Sequence, residues 1–448
     1  MSGQGCRIRW QRLIRTNNFT LLTEPLRCVR PAGSRPNQPL RICVSRYPCV
    51  CCASTLPLVD RVYLDHAATT PLDPEVFEAM KPYLLEEYGN ASSVHQLGRQ
   101  ARVAMEEARE RVAGCLGAES SEIVFTSGGT EADNLALKGV LQAAWSRRIS
   151  GQPAGLVTSA AEHEAVLRPA ERLKEQGHPV EILSPDDHGA VSPEQVESVI
   201  DDHTVLVSLM HTNNEIGVQT DIPAVAEVCH AHDVPLHCDA VQAAGLQSLD
   251  VDDLDVDLLS MSGHKFYGPK GVGVLYVRNG VDLGPLVEGG SQERERRGGT
   301  ENVPGAIGLA EALERAVSDA EERAERLSRL QRRLVDGLDD AVPGRYVLNT
   351  PLGEAPVAPH VGNVAFPPEE EPLDGEMLIL NLDMEGVLVS AGSACTSGAL
   401  EPSHVLTALG LDRATASAAV RFSLGATTTE EEIDYALETL HSTLQRMR

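Results

Sequence analysis

Val234-Pro-Leu-His-Cys-Asp-Ala-Val-Gln242 and, a little further on, Leu258-Leu-Ser-Met-Ser-Gly-His-Lys265 decide how this chain folds. Each contains a short apolar run, Val234–Cys238 and Leu258–Met261, of the length of a buried strand. A charged side chain follows each run, Asp239 in one case and Lys265 in the other. Strands covered on both faces read as near-continuous apolar runs, which is the habit of parallel sheets. Working outward, similar runs occur at Glu122–Thr126, Leu156–Ser159, Val180–Leu183, Val205–Met210 and Gly273–Val277. Amphipathic stretches at Glu131–Ala144, Glu164–Gln176 and Ile222–His232 separate several of them. Strands alternating with helices predict an α/β fold with a mostly parallel seven-stranded sheet, covered on both faces. Further on, Leu309, Leu313, Ala316, Ala320, Leu327, Leu330 and Leu334 fall near one face of a single long helix predicted over Pro304–Leu338. A second α/β region follows, with strands expected at Gly362–Ala365, Val387–Ser390 and Ala419–Ser423 and a last helix over Thr429–Leu444. The expected division is a large domain with an N-terminal arm over residues 60–320 and a smaller C-terminal domain over residues 321–448.

Charge is unevenly spread. Residues 1–59 hold nine Arg, no Lys and one acid, Glu24, for a net +8, while the rest of the chain carries 29 basic and 64 acidic residues, a net −35. A body this acidic repels nucleic acid. No apolar run is long enough to cross a bilayer as a helix. Only Lys81, Lys138, Lys174, Lys265 and Lys270 supply lysine. An acid-rich, Lys-poor surface fits work in concentrated salt, where screening removes self-repulsion; ordinary solubilising charge is the alternative. The first 59 residues match the composition of an organelle transit peptide. They equally match translated upstream sequence, with the protein proper beginning near Val59, and the acidic body favours that second reading. On either reading they are expected to be disordered and outside the fold. Six of the ten Cys lie there, and the other four, Cys115, Cys229, Cys238 and Cys395, have neither disulfide-framework nor paired metal spacing. That usage fits a reducing compartment, the cytoplasm, with the mitochondrial matrix as the alternative if residues 1–59 are a transit peptide.

A carboxylate and a lysine that each follow a buried strand suit pyridoxal 5'-phosphate. The lysine forms a Schiff base with the aldehyde, and the carboxylate keeps the pyridine nitrogen protonated so that the ring accepts electrons. Burial disfavours a charged lysine, so a purely structural Lys265 after such a strand is uncommon. Gln242 could reach the cofactor's phenolic oxygen, and Ser262 and His264 its phosphate. Glu122-Ile-Val-Phe-Thr-Ser-Gly-Gly-Thr-Glu131 reads as strand, turn and helix start. There Gly129 lets backbone amides approach an anion and Thr130 can cap the helix. Alone it would be an ordinary capped turn. His163 follows a strand and could stack on the ring as acid or base. Asn214 could bond beside the ring hydroxyl; Asx-turn chemistry is the alternative. Arg421, inside a strand pattern, suits a substrate carboxylate or an edge-strand ion pair. Cys395 sits in Ser390-Ala-Gly-Ser-Ala-Cys-Thr-Ser397, a small-residue loop that leaves a thiol uncluttered and reactive, whereas Cys115, Cys229 and Cys238 read as core. No resident metal is expected.

Six ordered motifs carry a resemblance that covers residues 62–448. They are Tyr63-Leu-Asp-His-Ala-Ala-Thr-Thr70, Phe125-Thr-Ser-Gly-Gly-Thr-Glu131, Asn213-Asn-Glu-Ile-Gly217, Ser262-Gly-His-Lys-Phe-Tyr-Gly-Pro-Lys-Gly271, Gln292-Glu-Arg with Arg297-Gly-Gly-Thr-Glu-Asn302, and Ser393-Ala-Cys-Thr-Ser397. The chain resembles the cysteine desulfurases of the NifS/IscS type, class V members of the aminotransferase superfamily of fold type I. The resemblance implies removal of sulfur from L-cysteine, giving L-alanine and a persulfide on Cys395. That sulfur would pass to an acceptor or an iron–sulfur scaffold protein, and the thiol could transiently contact an iron–sulfur cluster. It assigns Lys265 to the Schiff base, His163 to ring stacking, Asp239 and Gln242 to the ring, and Gly129, Thr130, Ser262 and His264 to the phosphate. Asn214 would lie beside the cofactor and Arg421 would take the substrate carboxylate. It also implies a homodimer in which Thr300 of one subunit reaches the phosphate bound by the other. The chain departs from the pattern in its basic N-terminal stretch. It also has no counterpart, before Arg448, of the tail by which some members dock a scaffold, so the acceptor stays open. Rival readings are a selenocysteine lyase, a class V aminotransferase, which needs no thiol, or a non-catalytic sulfur-trafficking partner.

Overall fold

The computed structural model describes residues 61–147, 153–368, 372–391 and 402–447. The basic N-terminal stretch and the Cys395 loop singled out above lie outside the described residues. After β1 (Val62–Tyr63) come α1 (Pro74–Leu85) and α2 (Gln96–Leu116). Asp73 accepts the Glu75 N–H to cap α1, and Pro74 takes the first helical position, where no N–H is needed. Gly117 ends α2 in the left-handed region at φ 68°, where a Cβ would meet the Asp250 carboxylate at 2.6 Å.

The seven-stranded sheet consists of β2 (Ile123–Thr126), β3 (Gly155–Ser159), β4 (Val180–Leu183), β5 (Thr204–Met210), β6 (Leu236–Asp239), β7 (Leu258–Ser262) and β8 (Gly273–Val277). Their order is β2-β8-β7-β6-β5-β3-β4. All neighbours pair in parallel except at β8, which runs against both β2 and β7. The connections carry α3 (Gly129–Arg147), α4 (Glu164–Glu175), α5 (Pro193–Glu197), α6 (Ile222–Ala231) and α7 (Val251–Leu254). The pleat sends alternate side chains to opposite faces. In β8, Leu275 and Val277 join the core under α3 and α4, while Val274 and Tyr276 join the core under α2, α6 and the later helix Val303–Ser318. Both faces are therefore buried, which is why these strands read as unbroken apolar runs.

The long helix expected over Pro304–Leu338 is two helices, α8 (Val303–Ser318) and α9 (Ala320–Ala341). Asp319 breaks it at φ −107°, ψ 8°. Ser318 Oγ donates to Arg315 O and Asp319 Oδ1, the local bonding by which Ser and Asp compete with a helix ladder. The two halves also serve different cores. Leu309 and Leu313 of α8 pack under the large sheet. Leu327, Leu330, Leu334 and Leu338 of α9, at helical spacing, pack with the last helix, Glu430–Met447. Each such leucine contributes roughly 1.5–3 kcal/mol on burial.

That second core is built on β9 (Val347–Leu348), β10 (Val361–Ala365), α10 (Gly375–Met384), β11 (Val387–Leu388), α11 (His404–Ala408), α12 (Arg413–Ser417), β12 (Ala419–Ser423) and α13 (Glu430–Met447). β12-β10-β9 form an antiparallel sheet, and β11 pairs in parallel with β1, so the expected strand Val387–Ser390 stops at Leu388. Ser390 instead bridges to Arg421. The segment after β1 thus runs between the two cores and across the carboxyl ends of β6 and β7, where ligands bind in open α/β sheets.

Candidate active site

Asp239 is the last residue of β6, and its Oδ1 accepts the Val241 N–H at 3.0 Å. Lys265 ends the single turn Gly263–Lys265 that follows β7. Its Nζ donates to Ala67 O at 2.5 Å and Ala68 O at 3.1 Å, on the segment after β1. Gln242 Nε2 also donates to Ala67 O, at 2.9 Å, and its Oε1 meets His360 Nε2 at 3.3 Å. A cavity of about 670 Å³ opens beside these groups. Gly129, Thr130, His163, Asn214, Asp239, Gln242, Ser262, His264, Lys265 and Arg421 all line it.

Each of these positions has a local cause. Gly128 takes φ 151° between β2 and α3, and Gly129 opens the helix with its Cα against Val241, where a Cβ would come within 2.8 Å of Val241 Cγ2. Thr130 lies inside the first turn of α3 rather than at its cap, as the helix starts one residue earlier. His163 caps α4, its Nδ1 accepting the Ala165 N–H at 3.1 Å. A nitrogen that accepts carries no proton, so in the neutral ring the proton sits on Nε2. The Asx turn belongs to Asn213, whose Oδ1 accepts the N–H groups of Glu215 and Ile216, and the neighbouring Asn214 reaches the cavity. Arg421 makes the ion pair of the one reading and lines the cavity that the other requires. Its Nη2 pairs with Asp65 Oδ1 at 2.9 Å and its Nη1 donates to Asn214 O at 2.8 Å, while its Nε is buried without a partner.

Two residues stand apart. Thr300 is exposed and lies in a second depression with Gly271, Arg297 and Asn302, outside this cavity. Cys395 is outside the described residues; Ala391, a short step before it in the chain, lines the cavity. The structure adds groups to which the sequence reading gave no role: Asp65, Asp133, Glu162, His360 and His404. Of these, Asp65 sits inside a quoted motif, and Asp133 is an acid flanked by the buried Ala132 and Leu135 on α3. A charge on a buried helix face was the signal that could have flagged Asp133. Cys229 and Cys238 are buried as expected, and Cys115 is half-buried against the same core. Lys270 is exposed in a turn, as its Gly-Pro-Lys-Gly context suggests.

Burial, aided by the Arg421 charge, pushes the Lys265 ammonium down to about 8, against the pull of Asp239 and Asp65. Burial likewise holds His264 down to about 4, with Lys265 assisting. It lowers His163, where Asp239 opposes. Burial raises Asp239, with His163, the Val241 N–H and Lys265 pulling the other way. The cavity thus presents an amine near neutrality, a carboxylate beside two basic groups and a guanidinium with a free N–H. The N-terminus of the long helix α3, where an anion is favoured, opens into it too.

The family model for class-V aminotransferases matches residues 62–436. The chain belongs to the class-V aminotransferase family. A cysteine desulfurase IscS of Dictyoglomus turgidum is 45% identical over 387 residues, spanning 86% of this chain and 95% of that protein. One from Methanosarcina thermophila is also 45% identical, over 86% of this chain and 93% of its own length. Among solved structures, a NifS-like protein superimposes with a TM-score of 0.78 at 39% identity, covering 86% of this chain and all of that one. Within the family the chain groups with the cysteine desulfurases, and pyridoxal phosphate is its cofactor. The cavity fits that group. It offers a poised amine, a carboxylate at a strand end, a helix N-terminus for a phosphate, and three lining residues with buried polar atoms that have no partner, Asp133 Oδ1, Ser390 Oγ and Arg421 Nε.

Proposed function

We propose that this enzyme takes sulfur from L-cysteine, releases L-alanine and carries the sulfur as a persulfide on Cys395. The observation that carries the reading is the sharing of one cavity by the Lys265 amine, Asp239 and the Arg421 guanidinium, on a wall that includes Ala391. When bound, the cofactor supplies an electron sink for negative charge at the substrate Cα. Lys265, Asp239, His163 and Gln242 are the residues to hold its ring, and Gly129, Thr130, Ser262 and His264 its phosphate, with Asn214 alongside. Arg421 binds the substrate carboxylate and orients Cα. The Lys265 amine, near neutrality, takes the Cα proton at Nζ. The Cys395 thiolate attacks the substrate sulfur. A sulfur–sulfur bond forms, the carbon–sulfur bond breaks with its electron pair left on carbon, and a proton completes alanine.

Two features support a homodimer with Thr300 acting across the interface. Thr300 is exposed and lies outside its own subunit's cavity. Large exposed apolar side chains cluster between Leu72 and Val103, among them Phe77, Leu85 and Tyr88. An acceptor protein completes the cycle, and a reducing cytoplasm suits the unpaired thiols Cys115, Cys229 and Cys238.

The test is incubation of the holoenzyme with sulfur-labelled L-cysteine, then peptide mapping. Label on the Cys395 peptide, matched by alanine, is expected. Cys395→Ala keeps the absorbance of the lysine-bound cofactor but gives no persulfide. Undiminished alanine release from cysteine by that variant would refute the thiol's part.

A further inference from the structure

The scheme above leaves two buried carboxyl groups of the cavity region without a task. Asp133 lies in the second turn of α3, its side chain 2% exposed, and lines the same cavity as Asp239 and Lys265. Its Oδ1 is buried and has no hydrogen-bond partner. Glu162, on the loop before α4, is fully buried. Its Oε1 accepts the Met210 N–H at 2.8 Å, and its Oε2 has no partner. Neither group has a lysine or arginine within ion-pair reach among the described residues. The one basic ring near Asp133 is His237, with Nε2 3.7 Å from Oδ1.

His237 cannot supply the missing charge. Its Nδ1 and Nε2 are bonded to the hydroxyls of Ser208 at 2.8 Å and Ser260 at 2.9 Å, and it is fully enclosed. Burial drives it down to about 3. The groups that act on Asp133 are then Asp239 on β6 and Glu162, both repulsive when ionised, and the Ser260 hydroxyl on β7. Three mutually repelling buried carboxyl groups do not all ionise. Asp239 alone has basic groups to stabilise its charge, His163 and Lys265.

We propose that Asp133 is a positioning residue that keeps its proton in the holoenzyme, an uncharged acid on the cavity wall offering an O–H where a carboxylate would repel Asp239. Its neutrality leaves Asp239 as the ionised member of the cluster. A carboxyl held neutral by a desolvated site so that it can donate is a known device of enzyme pockets. The inference rests on the cofactor occupying this cavity.

Two readouts on the holoenzyme test it. At pH 7 the infrared spectrum shows a protonated-carboxyl band that Asp133→Asn removes, while Glu162→Gln removes a separate one. The pH titration of the bound cofactor's absorbance keeps its midpoint in Asp133→Asn, which preserves shape and neutrality. Asp133→Leu, which deletes the polar hydrogen, displaces the midpoint by about one unit. The role is overturned if no band is lost in Asp133→Asn, if its midpoint moves as far as that of the Leu variant, or if it no longer takes up the cofactor. Failure of the unmodified protein to show bound-cofactor absorbance would instead defeat the assignment of the cavity, and this role with it.

Discussion

Lys265→Met in the cofactor-free protein should be more stable than its parent at neutral pH, and the advantage should fade as pH rises. The folded chain holds the ammonium near 8 instead of 10.5, chiefly by burial. Between those two values the unfolded chain binds a proton that the folded chain does not, so the lysine's contribution to stability rises with pH across that window. Below pH 8 both states are protonated and the folded state bears the whole cost of a buried charge, about 3 kcal/mol at pH 7. At pH 10 about 0.8 kcal/mol remains, so the gap between variant and parent should shrink by about 2.5 kcal/mol from pH 7 to pH 10. Water inside the cavity screens the amine, which makes these upper values. Losing the donor to Ala67 O and Ala68 O subtracts about 1 kcal/mol at either pH, and so leaves the change with pH untouched. Urea unfolding of both proteins at pH 7 and pH 10 gives the difference directly. A gap that stays constant or widens with pH would mean that the amine is not desolvated. The explanation of its nucleophilicity would then go with it.

Arg109→Met should cost about 3–5 kcal/mol in urea unfolding, because it strands the buried Glu293 carboxylate now held by Arg109 at 2.6 and 2.9 Å. Adding Glu293→Met should restore part of that; no recovery would mean the pair's packing, and not its charge, matters. Arg421→Met should raise the KM for L-cysteine roughly 10–100-fold, from the loss of a charge-assisted hydrogen bond worth about 1.5–3 kcal/mol. The bound-cofactor absorbance should be preserved, and an unchanged KM would remove Arg421 from substrate binding. Leu334→Ala, which opens a cavity where α9 meets α13, should cost about 2–5 kcal/mol of stability by the same assay. Its absorbance should not change, since Leu334 belongs to the core away from the large sheet.

The seven strands were legible because burial on both faces of the sheet leaves a run such as Thr204–Met210 almost entirely apolar. The site residues at strand ends were legible for a related reason. A charge placed directly after such a run, as at Asp239 and Lys265, has no structural motive. The break at Asp319 was not legible, because α8 and α9 each keep a helical period and the sequence does not reveal that their apolar faces serve different cores. α1 and α2 were missed for want of a strand between them to mark the alternation. β1 was missed because its two residues gain meaning only from β11, far along the chain. The partners of the site groups were hidden for the same reason: Asp65 and Arg421 are joined only through the packing of the two cores.

Charge in the cavity is sorted between the two halves that form it. The amine of Lys265 and the carboxyls of Asp133 and Asp239 stand on or beside the large sheet, whereas Arg421 projects from the small sheet and is tethered to Asp65. On the proposed function, the half that recognises the substrate carboxylate is opposite to the one that holds the cofactor. Asp65 bridges these roles. It pairs with Arg421 and also draws up the Lys265 amine, so neutralising it alters both the anchor and the base. Asp65→Asn should accordingly free Arg421 Nη2 for the substrate and lower the KM, while depressing the Lys265 amine further. The two effects separate in the pH profile. The acidic limb of kcat, which reports the Lys265 amine once substrate is bound, should move to lower pH, and a KM gain without that movement would show that Asp65 acts on the guanidinium alone.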